Sequence, residues 1–576
     1  MQKLIKFFKK IGPILLILFL GAYCSRGIFT YHFFSTHDGD HHIARSYDAI
    51  QTLSEGHFPL RWAGSLNYFC GVPIFNFFYP LLYYLIFLIN LLVGDVVLSL
   101  KVVYVLSFTL APLFFYFWLK QEIKNTTASL FGAILYLFVP YRFLLVFVRS
   151  SPEFLAYTIL PIFLYFLSIF FKKAKNKKRS ACFFGFFTSL LGAMFVISHN
   201  LVAFLLSPIL SLWFIIKVWR MKIYQQKSKL FFLVILTAVS IIGLSAFFWG
   251  PVFLERGQTK LGRVETINYW QHFPTLKQLI RSPWGYFYSL PGVEDDGMSF
   301  SLGYAQWVII GLGGINLLFW AMRKKINWCR HGVILFWFFI SCFSIFLMLE
   351  PSRFIWEAVP LLLQIQFPWR FLGVTSFTIA AMGGFWLVQV KNKKVFWAFL
   401  LLISFLAIYG NRNHLLPQPL IEPEKYDDFN VSHQHRYSTT TVGDDILNQV
   451  AISACSFNDD FLLINNQVIN NQLDRGNTFG NVKFEWPKTE AVDMIKLNLE
   501  YFPGIYQINI NNKQAEKINN LLGRVSLEQI NLNEGENIVD WQIVQSPIER
   551  RFNAVSLGFL VFWLILIPAY EIKRKI

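Results

Sequence analysis

MQKLIKFFKKIGPILLILFLGAYCSRGIF, residues 1–29, places four lysines ahead of a charge-free apolar run from Ile11 to about Tyr23. Its start resembles a signal peptide, but the run lacks a small-residue cleavage site, so it reads as a retained signal-anchor helix. The same signature, a short basic segment against a long apolar one, recurs along the chain. A membrane helix needs about 20 mostly apolar residues. Candidate spans fall at 11–30, 97–119, 128–148, 153–171, 181–198, 201–216, 230–250, 303–321, 332–349, 367–388, 395–410 and 553–570.

Composition agrees. Of 576 residues, 55% are hydrophobic and only 15% are charged, against about a quarter charged in an ordinary soluble chain. This excludes a disordered chain, a coiled coil and a soluble multidomain enzyme. The net charge of +18 would suit a nucleic-acid partner if it were spread over a soluble surface. Instead, segments 1–10, 120–127, 172–180, 217–229, 322–331, 391–394 and 571–576 hold 27 of the 52 Lys and Arg, with Glu122 and Glu571 their only acids. The rest of the chain is net acidic. Basic loops between apolar spans set orientation by the positive-inside rule, and no nucleic-acid partner is expected.

With the basic segments inside, twelve spans alternate correctly and both termini lie on the cytoplasmic side. The apolar stretch 73–93 breaks that alternation if it crosses, so it is assigned to the first outer loop, 31–96, as helices at the interface. The expected architecture is a polytopic α-helical membrane module over 1–410. An extracytoplasmic β-sandwich follows over 411–552, then a final membrane helix and tail over 553–576. Strands are expected at Val482–Trp486, Ile495–Tyr501, Tyr506–Ile510 and Ile538–Val544, between turn signals at Pro503-Gly504 and Asn533–Gly535. Asp295-Asp296 and Asp444-Asp445 read as solvated turns. Of six cysteines only Cys70 and Cys455 fall in segments read as outside, and the favoured expectation leaves them unpaired.

The first outer loop carries the densest chemistry. Asp38, His41, His42 and Arg45 are spaced i, i+3, i+4 and i+7, one face of a helix, while Ile43, Tyr47 and Ile50 form another that could rest on the membrane. A carboxylate beside imidazole and guanidinium can act as a general base, and Asp38 with Asp40 can hold a divalent metal. The competing reading is that both acids cap a helix. Arg149-Ser150-Ser151-Pro152-Glu153 forms a second outward cluster. It reads either as a helix start with Ser151 as N-cap and Pro152 at the first position or as an ionisable pair at membrane depth. His199, Arg61 and Arg370 lie near predicted interfaces, as hydrogen-bonding or anchoring residues or as phosphate ligands.

His37-Asp38, His42, Gly56-His57-Phe58-Pro59-Leu60-Arg61-Trp62, Gly71–Leu81 and Tyr83-Tyr84 together resemble the leading motif of one bacterial membrane family. That family is labelled "6-pyruvoyl-tetrahydropterin synthase-related" and is similar in layout to the GT-C superfamily of glycosyltransferases. Gln366–Leu372 and Tyr501–Gly504 also resemble family patterns. The resemblance implies an inverting transferase in the bacterial inner membrane, moving a sugar from a polyprenyl-phosphate donor to a glycan, lipid or protein acceptor outside. It implies Asp38, with Asp40 next, as catalytic base or metal-associated acid, and Glu153 as the second acid. His41, His42, Arg61, Arg149, His199 and Arg370 are then substrate and phosphate ligands, with Mg or Mn as the implied cation. Two other classes compete. A transporter or flippase of an envelope lipid or glycan predicts broken helices, inverted repeats and charges inside spans such as Lys101 and Arg142. A non-catalytic assembly factor gives the Asp38 cluster no purpose.

Overall fold

The computed structural model describes residues 2–30, 33–176, 180–221, 228–259, 268–292, 296–322, 328–419, 460–521 and 523–572. Cys455, Asp295 and Asp444-Asp445 lie outside them. Among the described residues, eight helices are long and apolar enough to cross a membrane, or up to eleven if each of three bent pairs is one span. The twelfth expected span, 367–388, is the 17-residue helix Phe371–Leu387, one residue short of that length and almost wholly buried among its neighbours.

The break nearest the candidate chemistry separates Thr126–Leu137 from Pro140–Val148, with a bend of 51°. Pro140 has no N–H to continue the hydrogen-bond ladder. The carbonyls freed there find side-chain donors: Leu135 and Phe138 accept from Gln306 Nε2 at 3.3 and 3.4 Å, and Phe138 also accepts from Asn411 Nδ2 at 3.0 Å. The bend re-aims the chain, and Arg149 and Glu153 follow directly after it.

Stretch 73–93 forms two short helices, Ile74–Phe77 and Leu81–Val93. The second has 13 residues, about 20 Å at 1.5 Å per residue, too short for a hydrocarbon core of about 30 Å. It ends on left-handed Gly94, after which the Asp95 carboxylate caps Leu98 N–H and starts the 28-residue helix Val96–Ile123. The Gly39–Ser54 helix lies against these two helices. Ile43 is fully buried and Tyr47 and Ile50 are partly buried in the same apolar core. That face therefore rests on protein, correcting the expectation of a membrane contact.

The C-terminal region is all-β, in two five-stranded antiparallel sheets. One runs Ile518–Leu521, Arg524–Leu532, Glu490–Glu500, Leu462–Ile464, Gln467–Val468. The other runs Gln472–Arg475, Phe479–Trp486, Gly535–Ile543, Tyr506–Ile510, Lys513–Gln514. Burial alternates along Phe479–Trp486, with Gly480, Val482 and Phe484 inward. One hydrophobic cluster joins side chains of both sheets to Ala49, Leu60, Trp62, Phe75 and Tyr83 of the first outer loop. Cys70 of that loop is disulfide-bonded, which corrects the expectation of an unpaired thiol; its partner lies outside the described residues.

Candidate functional site

Asp38 occupies the N-cap position of Gly39–Ser54, yet its side chain makes no cap hydrogen bond. The first helical N–H, that of Gly39, is met by the Thr36 hydroxyl at 3.0 Å. The carboxylate is therefore not spent on capping, and the capping reading loses its main term. The backbone fixes its place: His37 N–H donates to Val148 O at 2.9 Å and Asp38 N–H to Arg149 O at 3.0 Å. These two bonds bring the first outer loop edge to edge with the chain leaving the bent helix. Asp40 and His41 follow in the first turn, half-buried.

Behind this edge lies a buried charged cluster. Glu153 Oε1 takes Arg149 Nη1 at 2.8 Å, and Glu153 Oε2 accepts from the Tyr141 hydroxyl at 2.8 Å. Arg370 Nε stands 3.8 Å from the same Oε1. Arg370 is buried, and neither its Nε nor its Nη1 makes a hydrogen bond. Arg149 also packs over the Trp369 ring at 4.8 Å. Two guanidinium groups thus face the one carboxylate of Glu153, with the Asp38 charge acting on Arg149 from the adjoining edge, and Arg370 keeps unspent N–H donors. The helix Glu153–Lys175 begins with Pro152, not Ser151, at its N-cap position and has no side-chain cap bond. Ser151 as N-cap is thereby corrected: Ser150 is left-handed (φ 53°), and the turn presents Arg149 and Glu153 to each other.

His199 accepts from Val202 N–H through Nδ1 at 3.3 Å, leaving Nε2 to carry the proton of the neutral ring. The ring stacks on Tyr79 with centroids 4.4 Å apart. His42 is buried, with Nδ1 2.9 Å from the Tyr83 hydroxyl, and burial holds its pKa well below the usual imidazole range. His37 is pushed down to about 4, chiefly by burial and then by Arg149. All three imidazoles are set as neutral groups rather than cations.

Arg61 is not brought to this cluster. Its Nη1 donates to Asn76 Oδ1 at 3.0 Å and its Nη2 to Phe247 O at 2.6 Å and Asn553 Oδ1 at 2.8 Å. Asn76 Nδ2 in turn donates to Glu549 Oε1 at 2.6 Å. Arg61 is a strut between the first outer loop and the last helix, and its expected phosphate role is corrected accordingly. Sequence reasoning missed Tyr141 altogether and named Tyr79 and Tyr83 only as motif residues without a role, because an aromatic in an apolar run gives no signal of which carboxylate or imidazole it will meet.

Among the described residues, no three or more His, Cys, Asp or Glu side chains gather so as to hold a metal ion.

Comparison with curated proteins gives no match. A family model described as "6-pyruvoyl-tetrahydropterin synthase related domain; membrane protein" matches residues 75–414, which include Glu153, Arg149, His199 and Arg370. That match takes in more than half of the chain, and the protein belongs to this membrane-protein family.

Proposed function

We propose that the protein is a membrane glycosyltransferase of GT-C type, taking a sugar from a polyprenyl-phosphate donor and passing it to an envelope acceptor on the extracytoplasmic face. The observation that carries this reading is the surplus guanidinium of Arg370, buried beside the Arg149–Glu153 pair with two N–H groups unspent. A buried cation that cannot deprotonate asks for an anion, and a lipid phosphate brings one to membrane depth. Asp38, held next to Arg149 and free of capping duty, is the base. It takes the proton of an acceptor hydroxyl, whose oxygen bonds to the anomeric carbon as the bond from that carbon to the phosphate oxygen breaks. The polyprenyl phosphate leaves with the electron pair, and Arg370 and Arg149 receive its charge. Attack opposite the leaving group inverts the anomeric centre.

Topology enters on the same footing. Counting Phe371–Leu387 as a span brings the total to twelve and both termini to the cytoplasmic side of a bacterial inner membrane. The disulfide at Cys70 favours an oxidising compartment for the first outer loop. The shared apolar cluster favours reading the two sheets as a sandwich on that side.

A second reading, a transporter of an envelope lipid or glycan, draws on the three bent helix pairs. The two separate on one variant. In nanodiscs supplied with labelled undecaprenyl-phosphate hexoses and pentoses, Asp38→Asn should lower transfer about 10²- to 10⁴-fold while insertion and thermal stability hold. Full transfer by that variant removes Asp38 from the chemistry. Movement of labelled lipid across vesicles by wild type and variant alike favours transport.

A further inference from the structure

Residues 268–292 and 296–303 pack against the Asp38 edge. His37 Nε2 lies 3.3 Å from Tyr286 O, and the His37 and Tyr288 rings pack with centroids 4.2 Å apart at a tilt of 30°. Tyr288 nevertheless remains 57% exposed and Phe287 70%. Large rings left in solvent forgo part of the gain of burial, so a segment that holds them out needs a reason.

This segment is built to be rigid. Tyr286 bridges Met298, and Phe287 N–H donates to Gly297 O at 2.9 Å. The two segments approach so closely at Gly285 that a Cβ there would collide with Gly297 O. Asp296 Oδ1 accepts from Leu290 N–H at 2.6 Å and its Oδ2 from Gln278 Nε2 at 3.2 Å. The Tyr286 hydroxyl is tied to Leu416 O at 2.7 Å.

We infer that the acceptor is a carbohydrate, and that the Tyr288 ring, seated on His37, is the platform on which its pyranose ring stacks. This rests on the transferase reading and names the acceptor class for the same site. The flat apolar face of an aromatic ring matches the C–H face of a pyranose and leaves the sugar hydroxyls free. Those hydroxyls then meet the acids nearby: Asp38 is the next residue after His37, and both Asp38 and Asp40 act electrostatically on Tyr288. The alternative occupant is the bilayer, since tyrosines also anchor at membrane surfaces. Two carboxylates beside the ring weigh against that, because ionised groups are costly in contact with hydrocarbon.

The test uses the full chain in nanodiscs and saturation-transfer NMR with methyl α-D-glucopyranoside, methyl α-D-mannopyranoside and methyl β-D-galactopyranoside, with myo-inositol as control. At least one pyranoside should take up saturation, strongest on the C–H protons of one ring face. Tyr288→Ala should weaken that binding about ten-fold, while Tyr288→Phe keeps it. Saturation no greater than that of myo-inositol, or unchanged binding by Tyr288→Ala, overturns the proposal, as does quenching of a Tyr288→Trp variant by brominated lipids. Because sugar binding is read with no donor present and transfer with one, loss of the transferase reading and loss of the platform register in different measurements.

Discussion

The Gly39–Ser54 helix buries or borders negative charge at both ends, and the two ends treat it in opposite ways. At its start, Asp38 adjoins a cluster where donors outnumber acceptors: Arg149, Arg370 and Tyr141 converge on the one carboxylate of Glu153, and Arg370 keeps unspent N–H groups. Toward its other end, Asp48 Oδ1 accepts from the Ser65 backbone at 3.2 Å, the Ser65 hydroxyl at 2.9 Å and the Asn477 amide. Glu55 accepts from the backbone N–H groups of Asn477 and Thr478 at 2.8 and 2.9 Å and from the Thr478 hydroxyl at 2.7 Å. Neutral amides and hydroxyls of Ser65 and of the β-region make these bonds, and the Arg475 guanidinium acts on both acids electrostatically without bonding to them. A seam whose partners all come from the chain itself holds two modules together. A cluster with surplus cationic donors is prepared for something the chain does not supply.

The largest effect falls on the cationic end. Glu153→Gln leaves Arg149 and Arg370 buried without their counter-charge, which should cost about 3–5 kcal/mol of stability as well as transfer. Thermal unfolding in detergent measures it. A variant as stable as wild type would show that the two guanidinium groups are neutralised by something other than Glu153, and the contrast between the two ends would fail.

The next effect is a pH dependence confined to the seam. Asp48 is fully buried and one of its oxygens lacks a hydrogen-bond partner. Burial pushes its pKa from 3.8 up to about 6, against the opposing bonds from Ser65 and Asn477. Between these two values the native state binds more protons than the unfolded chain, so this residue's contribution falls as pH rises. The two pKa values differ by about 2 units, or about 3 kcal/mol at 1.36 kcal/mol per unit. Asp48→Asn removes that titration. Wild type should therefore gain about 2 kcal/mol relative to the variant on going from pH 7 to pH 4, and the remainder below that, read from urea unfolding at each pH. A difference that stays flat would mean that water reaches the carboxylate.

These two ends were unequally legible in the sequence. Spacing at Asp38, His41, His42 and Arg45 foretold a helix, and Gly39–Ser54 is that helix. Apolar length marked the spans, and runs between turn signals marked Val482–Trp486 and Tyr506–Ile510, which fall in the strands Phe479–Trp486 and Tyr506–Ile510, because such signals are local. Neither Asp48 nor Glu55 drew notice, since their partners Asn477 and Thr478 lie more than 400 positions away and an Asn or Thr in a polar stretch carries no mark of what it will bond. Arg61 misled for the same reason. Its position beside Trp62 suits an interfacial anchor or a phosphate ligand, but Asn553 and Phe247 O, which occupy its guanidinium, are brought to it by tertiary structure alone.

The smallest effect tests the separation most sharply. Thr478→Val keeps the shape of the side chain and removes one of the bonds that Glu55 accepts, leaving those from the Asn477 and Thr478 backbone. The loss of a single hydrogen bond from an acceptor that retains others should cost about 1 kcal/mol, visible as earlier release of the β-region in limited proteolysis. Transfer should be unchanged, because Thr478 contacts the far end of the Gly39–Ser54 helix, about two dozen ångströms of helix from Asp38 by the rise per residue. If this mild substitution lowers transfer as Asp38→Asn does, the helix is a lever between the β-region and the charged cluster, and its two ends share one task.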